Sequence, residues 1–144
     1  MMESINIKVE SGKKRFCLND DENKIIEFNV EDVRTRKKFY NASEKIFKSQ
    51  RELDIEYKKI VEDENMEETE KVEKLFELEE KIFNAMKEII DDIFGAGVTD
   101  MITDGEVNTF AIGNFIIAIA PYFKEVADKQ MNKYTDNLKS AGLI

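Results

Sequence analysis

The sequence predicts an α+β fold that is mostly α: a small N-terminal β-sheet or hairpin, then a long antiparallel helix pair and a C-terminal helix. Three observations carry this expectation. Apolar residues alternate with polar ones in the first thirty positions, the period of a half-buried strand. From Val30 the period lengthens to three and four, in two long stripes. The second stripe stops abruptly in "IIDDIFGAGVTDMITDG", where glycines punctuate the chain at 95, 97 and 105. A length of 144 residues suits one domain over 1–144, with a β-rich part at 1–30 and a helical part at 31–144.

"SINIKVE" alternates Ile5, Ile7 and Val9 against polar neighbours and reads as a first strand. Ser11-Gly12 reads as a turn, with "KRFCL" as the returning arm. The cluster "NDDEN" from Asn19 to Asn23 is a loop by composition, and "KIIEFNV" offers a third short strand.

The first helical stripe comprises Phe39/Tyr40, Ser43, Ile46/Phe47, Gln50, Leu53, Tyr57 and Ile60/Val61, with Asn29 or Asp32 as its cap. Polar Ser43 and Gln50 within the stripe predict a helix that is only partly buried. "EDENMEETE" (Glu62 to Glu70) is either the connecting loop or the acidic first turns of the next helix, since acids favour a helix N-terminus. The second stripe, Val72, Leu75/Phe76, Glu79, Ile82/Phe83, Met86, Ile89/Ile90 and Ile93/Phe94, predicts a helix from about Met66 to Phe94. At about 1.5 Å per residue it spans on the order of 40 Å.

Gly95 is expected to end that helix in the left-handed conformation, and Gly97 to redirect the chain. Thr99 is placed to cap the turn "DMIT", which Gly105 ends. Asn108 or Thr109 then caps a third helix through Phe115, Ile116, Ile119, Tyr122/Phe123 and Val126. Pro121 predicts a kink or break after Ile117, and "NLKSAGLI" reads as a frayed tail.

Charged residues make up 37% of the chain, well above the usual quarter, which favours long solvated helix faces. A net charge of −9 repels phosphate backbones, so nucleic acid is not an expected partner. One cysteine cannot form an internal disulfide, which fits a reducing cytoplasm. "MMESINIKVE" lacks the basic and apolar regions of a signal peptide. The apolar run from Phe110 to Phe123 is shorter than the roughly 20 residues a membrane span needs, so no membrane association is expected.

Catalytic candidates are sparse. The chain has no histidine, the commonest general base and metal ligand. Cys17 sits in a predicted strand without an activating partner. Asp100, Asp104 and Gly105 echo a calcium loop, but Ile102 and Ala111 occupy ligand positions. "GAGVTD" follows a helix and has Asp100 where a dinucleotide fingerprint needs its third glycine. No catalytic, cofactor-binding or metal residue is assigned, and the chain is expected not to be an enzyme.

Asp91 and Asp92 sit badly with the helix dipole just before Gly95. They are either solvated, or hold a partner or the "GAGVT" amides. The basic cluster "RTRKK" (Arg34 to Lys38) reads as a solvated face, or as a counterpart to the acidic run in this chain or a neighbour. Phe83, Phe94, Phe110, Phe115 and Phe123 are core candidates. Phe110 and Phe115 double as partner contacts if part of a stripe stays uncovered.

"IIEFNVEDVRTRKKFYNA", the charged helix, and "IFNAMKEIIDDIFGAGVTDMITDGEVNT" together resemble small tail-assembly chaperone proteins of phages of Gram-positive bacteria. The similarity spans residues 24 to 130 loosely and 89 to 110 more sharply. Asp91, Phe94, Gly95, Gly97, Gly105 and Asn108 stand where that family's structural joint would put them. The resemblance implies an oligomeric chaperone in the host cytoplasm that binds the tape-measure protein and recruits tail-tube subunits. An alternative is a small acidic phage-encoded inhibitor of a basic host protein, mimicking nucleic-acid charge through Glu62 to Glu70 and the neighbouring helix acids, with Glu67, Glu68 and Glu70 as candidate partner contacts. A third is a magnesium-dependent hydrolase using paired carboxylates.

Overall fold

A computed structural model describes residues 2–144. Strand β1 (Lys13–Leu18) turns tightly into β2 (Asp21–Asn29), and helices α1 (Val33–Val61), α2 (Glu68–Phe94), α3 (Val98–Thr103) and α4 (Thr109–Ser140) follow. This is the mostly helical α+β architecture expected. The sheet, however, has two strands where the alternation suggested three. Ile5, Ile7 and Val9 lie outside it and are exposed. The hairpin turn falls at Asn19 and Asp20, both left-handed, rather than at Ser11-Gly12. Asparagine and aspartate tolerate that conformation. It also brings Phe16 opposite Ile26 on the inward face.

Every second residue of β2 faces the core, so Ile26 and Phe28, and Val30 just beyond the strand, are buried. Phe28 stacks on Phe16 at 4.6 Å and on Phe123 of α4 at 5.7 Å, and Phe123 stacks on Phe39 of α1 at 4.1 Å. Four near-parallel rings thus tie the hairpin to α4 and α1. Full burial of such a side chain contributes about 1.5–3 kcal/mol.

Asp32, one of the two cap candidates, starts α1: its carboxylate accepts from the Thr35 amide at 3.0 Å and the Thr35 hydroxyl at 2.7 Å. The acidic run is divided between both roles considered for it. Residues 62–67 connect the helices, while Glu68 and Glu70 sit in the first turn of α2. Lys38 pairs with Asp92 near one end of the pair, and Lys71 donates to the Val61 carbonyl at the other, so α1 and α2 are antiparallel. "RTRKK" lies at the end of α1 remote from the acidic run, on the order of 40 Å away. The pairing of the two within this chain is thereby overturned.

Helix α4 runs antiparallel to α1, with Gln50 donating to the Thr109 carbonyl at 3.3 Å and Arg36 to Gln130 at 2.7 Å. It continues unbroken through Pro121 to Ser140, where a break was an option. Nor is its end frayed. Leu143 N–H donates to the Leu138 carbonyl and Gly142 N–H to the Lys139 carbonyl, the two bonds of a Schellman cap, with Gly142 left-handed.

The core is confined to one end of the molecule. None of residues 47–82 is buried, so the far halves of α1 and α2 form a two-helix arm beyond it. Val72 and Phe76 of the second stripe are exposed there, because no third element reaches that far.

Candidate functional site

The joint between α2 and α4 is built largely from residues the sequence singled out. Gly95 ends α2 with φ 117° and ψ 155°, an extended region open to glycine alone rather than the left-handed one expected. Gly97 is left-handed and precedes α3. Thr99 does not cap α3; it lies within it, fully buried. The cap comes from the preceding helix: Asp91 Oδ1 accepts from the Thr99 amide at 2.9 Å and the Thr99 hydroxyl at 2.8 Å. Of the readings open for Asp91, the bond to the "GAGVT" amides is the one realised, whereas Asp92 is exposed beside Lys38.

These contacts fold α3 back along α2, where Asp100 pairs with Lys87 at 3.0 Å. Asp104 and Gly105 are both left-handed, and the Gly105 amide donates to the Asp100 carbonyl. Asn108 then caps α4, accepting from the Ala111 amide at 3.1 Å. Phe94 lies in the core against Phe28 and Phe115. The joint is therefore a double turn: α3 doubles back along α2, and the chain then turns again into α4, which runs parallel to α2. It allows α4 to start beside the middle of α1 and run back antiparallel to it.

That placement leaves a seam between α1 and α4. Tyr40, Ser43, Phe47, Gln50, Asp54 and Tyr57 recur three and four apart on α1, and face Lys124, Pro121, Ile117 and Phe110 of α4. Two clefts open along it. One of about 610 Å³ is lined by Phe39, Tyr40, Phe47, Ile117 and Pro121, and one of about 350 Å³ by Leu53, Tyr57, Val107 and Phe110. The Gln50–Thr109 hydrogen bond divides them. Ile117 and Phe110 are 62% and 80% exposed, a high value for such side chains facing a groove.

Of the two aromatic partner contacts expected, only Phe110 is available. Phe115 is buried against Phe94 and is closed to a partner. Glu67, Glu68 and Glu70 stand exposed at the tip of the arm, far from the seam, where Glu70 is 3.6 Å from Lys74 and Glu68 4.0 Å from Lys71. Ile117 and Pro121 join Phe110 in the seam without being among the contacts expected from the sequence. The signal was present, because "FAIGNFIIAIAPYF" is apolar on more faces than one core requires.

Chemical groups are scattered rather than convergent. Among the described residues no group of three or more acidic or cysteine side chains is arranged to hold a metal ion. Asp104 pairs with Lys24, and Cys17 is exposed with its thiol against the Asp21 carbonyl. One 18-residue window of α4 has the length and hydropathy of a membrane span, as apolar core helices also do, and 33% of it is buried in the fold. Comparison with protein-family models, curated proteins and solved structures found no match.

Proposed function

We propose that this chain is a non-catalytic binding protein whose α1–α4 seam holds an amphipathic helix of a protein partner. The observation that supports this most is the apolar stripe of Tyr40, Phe47, Ile117, Pro121 and Phe110 along the two successive clefts of one seam. From Tyr40 to Tyr57 the seam is on the order of 25 Å long, five turns of helix. Helix-in-groove recognition works through anchors at such spacing. The net charge of −9 favours a basic helix, by steering its approach and disfavouring acidic competitors.

In its finer form the partner is the tape-measure protein of a phage tail, a long helical chain that needs shielding until assembly. That identification rests on the sequence resemblance alone. The charge-mimic alternative is less favoured, since Lys71 and Lys74 stand beside Glu68 and Glu70.

A synthetic 18-residue basic amphipathic helix tests the groove by titration calorimetry. Binding is expected, and Ile117→Asp should abolish it while leaving the melting temperature unchanged. Equal binding by that variant would exclude the seam. Co-expression with a tape-measure protein tests the finer form, and failure to retain it in solution would sink it.

A further inference from the structure

The two-stranded sheet has a free edge along β1, and the chain carries an unused strand. Ile5, Ile7 and Val9 alternate with polar residues yet are 88%, 75% and 81% exposed. Written antiparallel to β1 with Glu10 opposite Lys13, the segment sets Ile7 opposite Phe16 and Ile5 opposite Leu18. Directly opposed residues share a face of a sheet. Phe16 already pairs with Ile26, so Ile7, Phe16 and Ile26 would form one apolar row on the inward face. A shift by one residue would turn all three aliphatic side chains outward, so the pattern excludes odd shifts, and among the registers left this one sets Ile5 and Ile7 against apolar Leu18 and Phe16.

Space for them exists. Beside the β1 edge, a cavity of about 410 Å³ is lined by Leu18, Ile102, Ala111, Asn114, Phe115 and Ala118. Further along, Tyr122 lies edge-on to Phe16 and is itself exposed. A strand added to β1 would bring Ile5 to the cavity and Ile7 towards Tyr122.

The segment does not reach this edge of its own sheet. The Ser11 carbonyl accepts from the Asn29 side chain and Gly12 lies against Glu31, both on the β2 side. The chain therefore leaves β1 in line with it, instead of turning back at Ser11-Gly12. We propose that residues 4–10 add as a third strand to the free β1 edge of a second copy, and that the exchange is reciprocal. Such strand exchange reuses pairing already encoded in one chain, and it removes an open edge. This proposal does not depend on what the α1–α4 seam binds.

The pairing sets Asn6 opposite Cys17, with Cα atoms about 4.5–5.5 Å apart, within the range a disulfide accepts. The test is therefore Asn6→Cys in the full chain under mild oxidation, with Asn6→Cys/Cys17→Ser as control. The expected product is a covalent dimer whose linked peptides contain positions 6 and 17, and the control should form no covalent dimer. A 6–17 link within one chain would overturn the second copy in favour of a closed sheet. Free thiols at both positions, or equal dimer in the control, would overturn the pairing itself. By light scattering, the unmodified chain should have twice the mass of Ile5→Asp/Ile7→Asp at the same helical content by circular dichroism. Equal masses would overturn the proposal independently of the disulfide.

Discussion

Asp91 of α2 caps α3 across the joint, its Oδ1 accepting both the amide and the hydroxyl of Thr99 at 2.9 and 2.8 Å. Gly97 precedes α3 without a side chain to do this, so the cap is delivered from the previous helix. An acid unfavourable at the C-terminus of α2 is thereby placed favourably at the N-terminus of α3.

Asp91→Ala should therefore cost about 1–3 kcal/mol in urea unfolding, because it strands the buried Thr99 amide. Asp91→Asn keeps an acceptor and should cost less. Neighbouring Asp92→Ala should stay within about 0.5 kcal/mol, its only ion pair among the described residues being the exposed one with Lys38 at 3.7 Å. Equal losses at 91 and 92 would refute the cap.

Gly97→Ala meets no atom within 4 Å, so any loss reports backbone strain alone. About 1–2 kcal/mol is expected for a left-handed alanine. Gly95→Ala should lose at least as much, given its φ of 117° with ψ 155°. Chemical denaturation of both variants checks this.

Two phenylalanines of α4 should behave oppositely. Phe123→Ala removes a ring stacked on both Phe39 and Phe28 and should cost about 3–5 kcal/mol. Phe110→Ala should stay within about 0.5 kcal/mol while weakening capture of an amphipathic helix. Thermal melts and titration of the same two variants separate core from contact surface.

Neutralising the arm tip with Glu67→Gln, Glu68→Gln and Glu70→Gln should change stability by less than about 0.5 kcal/mol for each residue. It should also leave helix capture at the seam intact. A large loss of partner binding would instead favour the charge-mimic reading, and its salt dependence would confirm that origin.

Two carboxylates give acid sensitivity with a definite sign. The Thr35 hydroxyl and amide hold Asp32 below the ordinary aspartate value, and the Lys129 hydrogen bond and charge do the same for Glu125. Each contribution is fully present above the unfolded pKa and is lost as pH falls through the folded one. Stability should thus decline as pH drops below about 4. Asp32→Asn retains the cap and should flatten its share of that decline, seen as a smaller fall in melting temperature between pH 5 and 3.

Local signals determined most of the elements. The second helical stripe ended at Phe94, Asn108 capped α4, and the strands around Phe16 and Phe28 lay where alternation put them, because caps, glycines and periodicity act within a few residues. The same signals misplaced whatever needed a distant neighbour. Ile5, Ile7 and Val9 have strand chemistry but no partner edge within reach, since Ser11 and Gly12 are held on the β2 side. Thr99 has the composition of a cap, yet Asp91 takes that role eight residues earlier. Phe110 and Phe115 are the same residue type five positions apart. Only the packing of α4 against Phe94 makes one core and leaves the other in the seam. Periodicity specifies which face of a helix is apolar. Which part of that face is covered depends on where other elements end, and here the core stops at Ile46 and Phe83, leaving the arm beyond it bare.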